Sequence, residues 1–523
     1  MPVLAGWLTG EQVPQETIEQ TLSAMGEVLR QHGGQPARSV LPGAGIIAFS
    51  DDGHAMQRND DPPVLDWVPD RRTLVYRRPL SGAHVLYYVE DWPAQGNLLF
   101  ASEIKALLAV GVPRRLHSAA LDALLRYGFI PAPWTAFKDI RVVPAGSILR
   151  WQRAKTVVNA STDYHIDEPL SQNDALDQLH THLNDATAAM LPPHEQFIAL
   201  TKGDHLSALP SLLAAQLSPA PFPIAALDYT KDRSQIWKSA ERIARTCQRP
   251  FLEVMGIDQP EFWTAALAGL EAPSTDTRPL LFHQLLHTIA HETGARVAIS
   301  GAGARILAGS AVPAPTTGTS DMLTWYRHTL LGEQDKRSAQ IWSRDIEELL
   351  QKEERWEETP HARKLARRAE HFADKRQGWY YLDLHLRLPD HAVNPVQQLA
   401  TQECMVVRSP YLNTHVMDML TRLPSDNDIA KEQLLTQLAR RYIPARTKMS
   451  ALSPLTAPLN SLLNIEDSAL LQQTISPEAL RATGIFEPGV VEELMKQGNG
   501  ETTRELLLVF TTQLLLQLFG MEV

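Results

Sequence analysis

The chain has 523 residues, of which 44% are hydrophobic and 21% charged. These are ordinary globular values, enough for roughly two to four domains at ~100–200 residues each, and they exclude disordered, collagen-like and coiled-coil chains. The 49 basic and 60 acidic residues leave a net charge of −11, which argues against a nucleic-acid partner. Two cysteines, Cys247 and Cys404, make neither a disulfide framework nor a cysteine-rich zinc site. The first residues turn polar too soon for a signal peptide. The most apolar stretch, residues 506–519, is interrupted by Thr511, Thr512, Gln513 and Gln517 and falls short of the ~20 apolar residues a spanning helix needs. It reads as a buried helix of a cytoplasmic protein with no membrane partner.

Residues 1–160 read mostly as strands. Gly45-Ile46-Ile47-Ala48-Phe49, Thr73-Leu74-Val75-Tyr76 and His84-Val85-Leu86-Tyr87-Tyr88 are short β-rich runs bounded by Gly, Pro and Asp. Leu22, Met25, Val28 and Leu29 share one face of a helix predicted over 17–31, and a second helix is predicted over 103–110. This pattern predicts an α+β sandwich. It changes near Asp167-Glu168-Pro169. Asn173 is the expected cap of a helix whose buried face carries Leu176, Leu179, Leu183 and Ala186. Strands are then predicted at 197–200, 223–227, 252–254 and 296–300, with helices between them, including 206–217 and 234–247. That alternation predicts a parallel sheet covered on both faces. Beyond residue 320 the chain reads as helical, with a solvated charged face over 347–376. No internal repeat is evident.

In such a sheet, ligands bind beyond the carboxyl ends of the strands. Two ends stand out. One is Thr201-Lys202-Gly203-Asp204-His205-Leu206-Ser207, a strand–loop–helix junction able to present backbone N–H groups to phosphate. The other is Ser300-Gly301-Ala302-Gly303-Ala304-Arg305, whose small residues permit close backbone approach. Taken singly, each is equally an ordinary tight turn.

Together with four further strings, these loops resemble glutamine-dependent asparagine synthetase and its β-lactam synthetase and lasso-peptide cyclase relatives. The strings are Phe100-Ala101-Ser102-Glu103-Ile104-Lys105-Ala106-Leu107-Leu108, Tyr127-Gly128-Phe129-Ile130-Pro131, Val143-Pro144-Ala145-Gly146-Ser147 and Arg408-Ser409-Pro410-Tyr411-Leu412-Asn413. The resemblance implies an N-terminal-nucleophile (Ntn) hydrolase-like α+β sandwich over 1–165. An α/β PP-loop synthetase domain with a helical C-terminal part follows over 172–523.

It also implies active residues that this chain lacks. The family's nucleophilic Cys is Pro2 here, and its His-Arg-Gly-Pro-Asp string reads Gln31-His32-Gly33-Gly34-Gln35. Glutaminase activity is therefore not expected. In the family's Ser-Gly-Gly-x-Asp-Ser phosphate loop, Lys202 replaces a Gly and His205 the Mg²⁺-binding Asp, with Asp204 one residue away. In the second motif Arg305 replaces the metal-binding Asp, and an Arg repels a divalent ion. The degenerate nucleotide loop thus comprises Thr201, Lys202, Gly203, Asp204, His205, Ser207, Ser300, Gly301, Gly303 and Arg305. Lys448 and Lys431 fall where the family has basic residues and are the remaining catalytic candidates. No metal ligand is assigned.

The expected function is a catalytically degenerate asparagine-synthetase homologue serving as non-catalytic partner or scaffold for an active amide-forming synthetase. Its expected partner is an active family member or a second copy of itself. The alternative is a divergent ATP-dependent amide or lactam ligase without glutaminase activity, and only that alternative requires ATP and Mg²⁺. Three cations in a buried cleft need anions, so the old nucleotide cleft is expected to be plugged by acidic side chains or to hold an anion.

Overall fold

The computed structural model describes residues 3–11, 13–50, 64–166, 175–193, 196–228, 235–255, 260–309, 321–331, 338–423, 430–444, 449, 469–497 and 503–523. The first ten strands are β1 (Val3–Leu8), β2 (Gln35–Leu41), β3 (Ala44–Ser50), β4 (Val64–Val68), β5 (Thr73–Arg77), β6 (Tyr87–Glu90), β7 (Leu98–Ala101), β8 (Arg141–Val142), β9 (Ser147–Gln152) and β10 (Lys155–Ala160). They form two antiparallel sheets, ordered β2-β3-β1-β7-β6-β8 and β10-β9-β5-β4. Successive side chains of a strand point to opposite faces, and β1 uses both. Leu4 and Leu8 pack between the sheets with Tyr76, Tyr88, Phe100 and Trp151. Val3, Ala5 and Trp7 pack on the other face with Ile18, Leu22 and Met25 of the helix Gln15–Leu29. The sandwich is as expected, with one strand displaced. The run expected from His84 pairs only from Tyr87 onward, because His84 takes a left-handed φ of 59° that no ladder accommodates.

The second part carries β11 (Phe197–Leu200), β12 (Ile224–Asp228), β13 (Phe251–Met255), β14 (Val297–Ile299) and β15 (Val406–Arg408). All pair in parallel, in the order β13-β12-β11-β14-β15. Phe197, Ala199, Ile224, Val297 and Ile299 face one core, and Ile198, Leu200, Ala225, Ala298 and Val407 face another. Burial on both faces is why these strands are apolar throughout rather than alternating. The helix Ala175–Met190 buries Leu179, Leu183 and Ala186 as expected, with Leu176 partly buried. Its expected cap, Asn173, lies outside the described residues. The helix Thr503–Phe519 buries nearly every side chain. Leu506 to Phe510 enter the second part's core, while Leu515 and Phe519 pack with Phe137 of the sandwich. Among the described residues no helix is long and apolar enough to cross a membrane.

The sheet order reverses between β11 and β14. Chains leaving these two adjacent strands diverge to opposite sides, and the crevice between them is where open parallel sheets bind ligands. Topology alone therefore brings the loop after Leu200 beside the loop after Ile299.

Candidate functional site

At the end of β11 the loop closes on itself. Asp204 is the N-cap of the helix His205–Leu217. Its Oδ1 accepts the Ser207 N–H at 2.9 Å and its Oδ2 accepts the Ser207 hydroxyl at 2.7 Å. The Lys202 N–H donates to Ser207 Oγ at 3.0 Å, and the Gly203 N–H donates to Thr201 Oγ1 at 3.1 Å. Asp204 is 3% exposed. The backbone donors of Lys202, Gly203 and Ser207 are thus satisfied by the loop's own side chains. Both oxygens of Asp204, the one acid of this loop, are oriented by Ser207. Gly203 has φ +77°, and a Cβ there would lie 2.4 Å from that of Ser239; no other residue fits this turn.

The second loop lies against the first. A Cβ on Gly301 would fall 2.9 Å from Ser207 Cα. Gly303 has φ +81° and leads into the short helical turn Ala304–Leu307. Arg305 on that turn is exposed and lines the cavity beside it. The Arg408–Asn413 string fixes both loops from behind. Ser300 N–H donates to Arg408 O, Ser409 Oγ donates to Ala302 O at 2.7 Å, and the buried Tyr411 hydroxyl donates to Leu206 O at 3.0 Å. Asn413 caps the helix Thr414–Arg422.

A cavity of about 700 Å³ opens in front of the two loops. Thr201, Lys202, Ser207, Ser300, Gly301, Gly303 and Arg305 line it on one side. Tyr87, Phe129 and Ile130 of the sandwich line it on the other. Among the described residues, the carboxylates that line the cavity, Glu271, Asp276 and Asp390, each have a partner. Asp276 pairs with Arg278 at 2.5 Å. Burial opposes ionisation of Asp276, but Arg278 holds its carboxyl down at about 2. Glu271 accepts the N–H groups of Ile104 and Lys105, each at 2.7 Å. The expectation of three buried cations is corrected. Lys202 is half-buried, and burial with the neighbouring Arg278 and Arg305 lowers its pKa against the pull of Asp204. His205 is half-buried; burial and Arg440 lower its pKa. Only Lys202 and Arg305 of the three face the cavity.

Of the two catalytic candidates, Lys448 lies outside the described residues. Lys431 is 5% exposed, with Nζ 4.1 Å from the Tyr380 ring centroid, and it is not part of the cavity wall. Burial pushes its ammonium down to about 7. Glu271, Asp276 and Arg278 were missed by sequence reasoning. They sit in a stretch with neither motif nor periodicity, and only the fold brings them to the cavity.

A family model described as asparagine synthase matches residues 207–518, more than half of the chain. This chain belongs to the asparagine synthase family. A glutamine amidotransferase domain model matches residues 65–164, so an amidotransferase-type domain precedes the synthetase domain in this member. A search of curated proteins finds no match. Mg²⁺ bound to ATP, the ion and cofactor the family implies, does not fit the described residues of the two loops. Their one carboxylate is tied to Ser207, and Arg305 stands at the mouth.

Proposed function

We propose that this asparagine synthase family member is catalytically degenerate and works by binding, as partner or scaffold of an active amide-forming synthetase. In this reading its halves are an Ntn-type sandwich without its nucleophile and a PP-loop domain without its metal acids. The observation that carries it is the Asp204–Ser207 closure, which engages the one carboxylate of the loop and two of its N–H donors, with Thr201 taking a third from Gly203. Phosphoryl or adenylyl transfer without the divalent ion loses its main electrostatic stabiliser. The open cavity, with Lys202, Arg278 and Arg305 on its wall, suits an anionic small molecule rather than a metal-bound nucleotide.

Calorimetric titration with ATP, with and without Mg²⁺, tests the reading. Binding should be weak and should change less than about threefold with the ion, under ~0.7 kcal/mol. Micromolar affinity that requires Mg²⁺ sinks it and restores the ligase alternative. Co-expression with an active family member, followed by chromatography with mass determination, tests the partner role. A chain that stays monomeric beside every such synthetase removes it.

A further inference from the structure

Away from the cavity, the helix Arg278–Thr293 carries His283, His287 and His291. Positions four apart lie on one helix face about 6 Å from one another. Opposite this row stands Glu403, at the end of the helix Asn394–Gln402. Its two oxygens reach two of the imidazoles: Oε1 to His283 Nε2 at 2.8 Å and Oε2 to His287 Nδ1 at 3.1 Å. The rings of His287 and His291 are 4.2 Å apart between centroids. One ligating atom from each of His287, His291 and Glu403 lies within 4.8 Å of the others.

From this geometry we infer that His287, His291 and Glu403 form a binding site for a divalent transition ion of the zinc class. Two imidazoles and one carboxylate are a donor set that zinc takes with its fourth position left to water, and imidazole selects against magnesium and calcium. A plain ion pair explains the arrangement less well, because a single carboxylate needs one imidazolium and here faces a row of three rings. The supporting groups are also in place. His283 is 1% exposed and holds the far oxygen of Glu403, the outer hydrogen bond that orients ligating carboxylates. The Phe262 ring meets those of His283 and His287 in T-shaped contacts, 6.1 and 5.4 Å between centroids. The outer side is accessible. His291 is exposed and the His287 side chain is 39% exposed, so an ion can enter and the His291 ring can turn to meet it.

The ion would join the end of the helix Arg278–Thr293 to the segment leading into β15. It would brace the helix that begins at Arg278 on the cavity wall. The inference is independent of whether the nucleotide loop is active.

The test is titration of Zn²⁺ alone into the metal-stripped full chain, read by calorimetry and by melting temperature. One equivalent should bind and raise the melting temperature by mass action. His291→Ala, at an exposed position that folding tolerates, should weaken binding by at least the ~10–100-fold that loss of an outer supporting group costs and remove the melting shift. Glu403→Gln should do the same. His182, stacked on His415 elsewhere in the molecule, supplies the control, and His182→Ala should leave binding unchanged. Co²⁺ should give a visible absorption band in the native chain that His291→Ala abolishes. No binding of Zn²⁺, or binding unaltered in both the His291→Ala and Glu403→Gln chains, overturns the inference.

Discussion

The seam between the two parts and the pair of loops at the sheet crossover put their polar side chains to different use. At the seam the retained Phe100–Leu108 string is in structural use. Glu271 of the synthetase part reaches across to cap the helix Ile104–Leu108 with two hydrogen bonds. Glu103 of the same string accepts from His32 Nε2 at 2.6 Å, while His32 Nδ1 meets Thr401 O at 2.8 Å. Nearby, the fully buried Arg78 donates to Gly82 O and Val143 O, each at 2.7 Å. Asp390 receives the Ala132 N–H across the seam. At the crossover Lys202 and Arg305 line the cavity. The seam thus uses its polar side chains for contacts between the two parts, whereas the crossover presents two cations to a cavity.

The largest test of that contrast is Glu271→Ala. It strands two buried N–H donors and should cost about 2–5 kcal/mol in urea unfolding of the full chain; a change near zero would mean the seam is not what keeps the string. Tyr411→Phe should come next. It removes the hydroxyl that holds Leu206 O and should cost about 1–2 kcal/mol, with the cavity's anion affinity falling alongside as the first loop loosens.

The seam should also respond to pH. Burial disfavours the charged form of His32, but hydrogen bonds with Cys404 and Glu103 raise its pKa from 6.5 to about 9. A pKa raised on folding gives stability that is complete below 6.5 and lost as pH rises through 9. Melting temperature should therefore fall between pH 6.5 and 9, and His32→Gln should flatten that slope; a slope unchanged in the variant breaks the assignment. Glu271 adds to it in the same direction at lower pH, since burial raises its pKa from 4.5 to about 7. The smallest effect belongs to the crossover. Arg305→Ala, at an exposed position, should change stability by under ~0.5 kcal/mol while weakening anion binding in the cavity. A large loss of stability there would erase the contrast.

Element types were legible because periodicity and turn residues are local. The helix expected over 17–31 begins at Gln15 and ends at Leu29, and the strand at 197–200 holds as Phe197–Leu200. β15 was not legible as a strand. Three residues carry no period, and Val406–Arg408 pair only because β14 is already in place. The loop residues of the site were found by their motifs. Their contacts were not, because nothing local shows that both oxygens of Asp204 accept from Ser207. Glu271 and Glu403 depend on pairings 116 residues or more away, and Asp276, whose partner Arg278 is two residues on, reaches the cavity only through the fold.

One contact limits how the cleft can be altered. Gly301 lies so close to Ser207 that any side chain would drive the two loops apart, and hydrogen bonds from the Arg408–Asn413 string hold both loops from behind. Side chains that project from these loops, such as His205 and Arg305, are not part of that contact. Charge at those two positions can therefore be rewritten independently of the packing that sets the backbone.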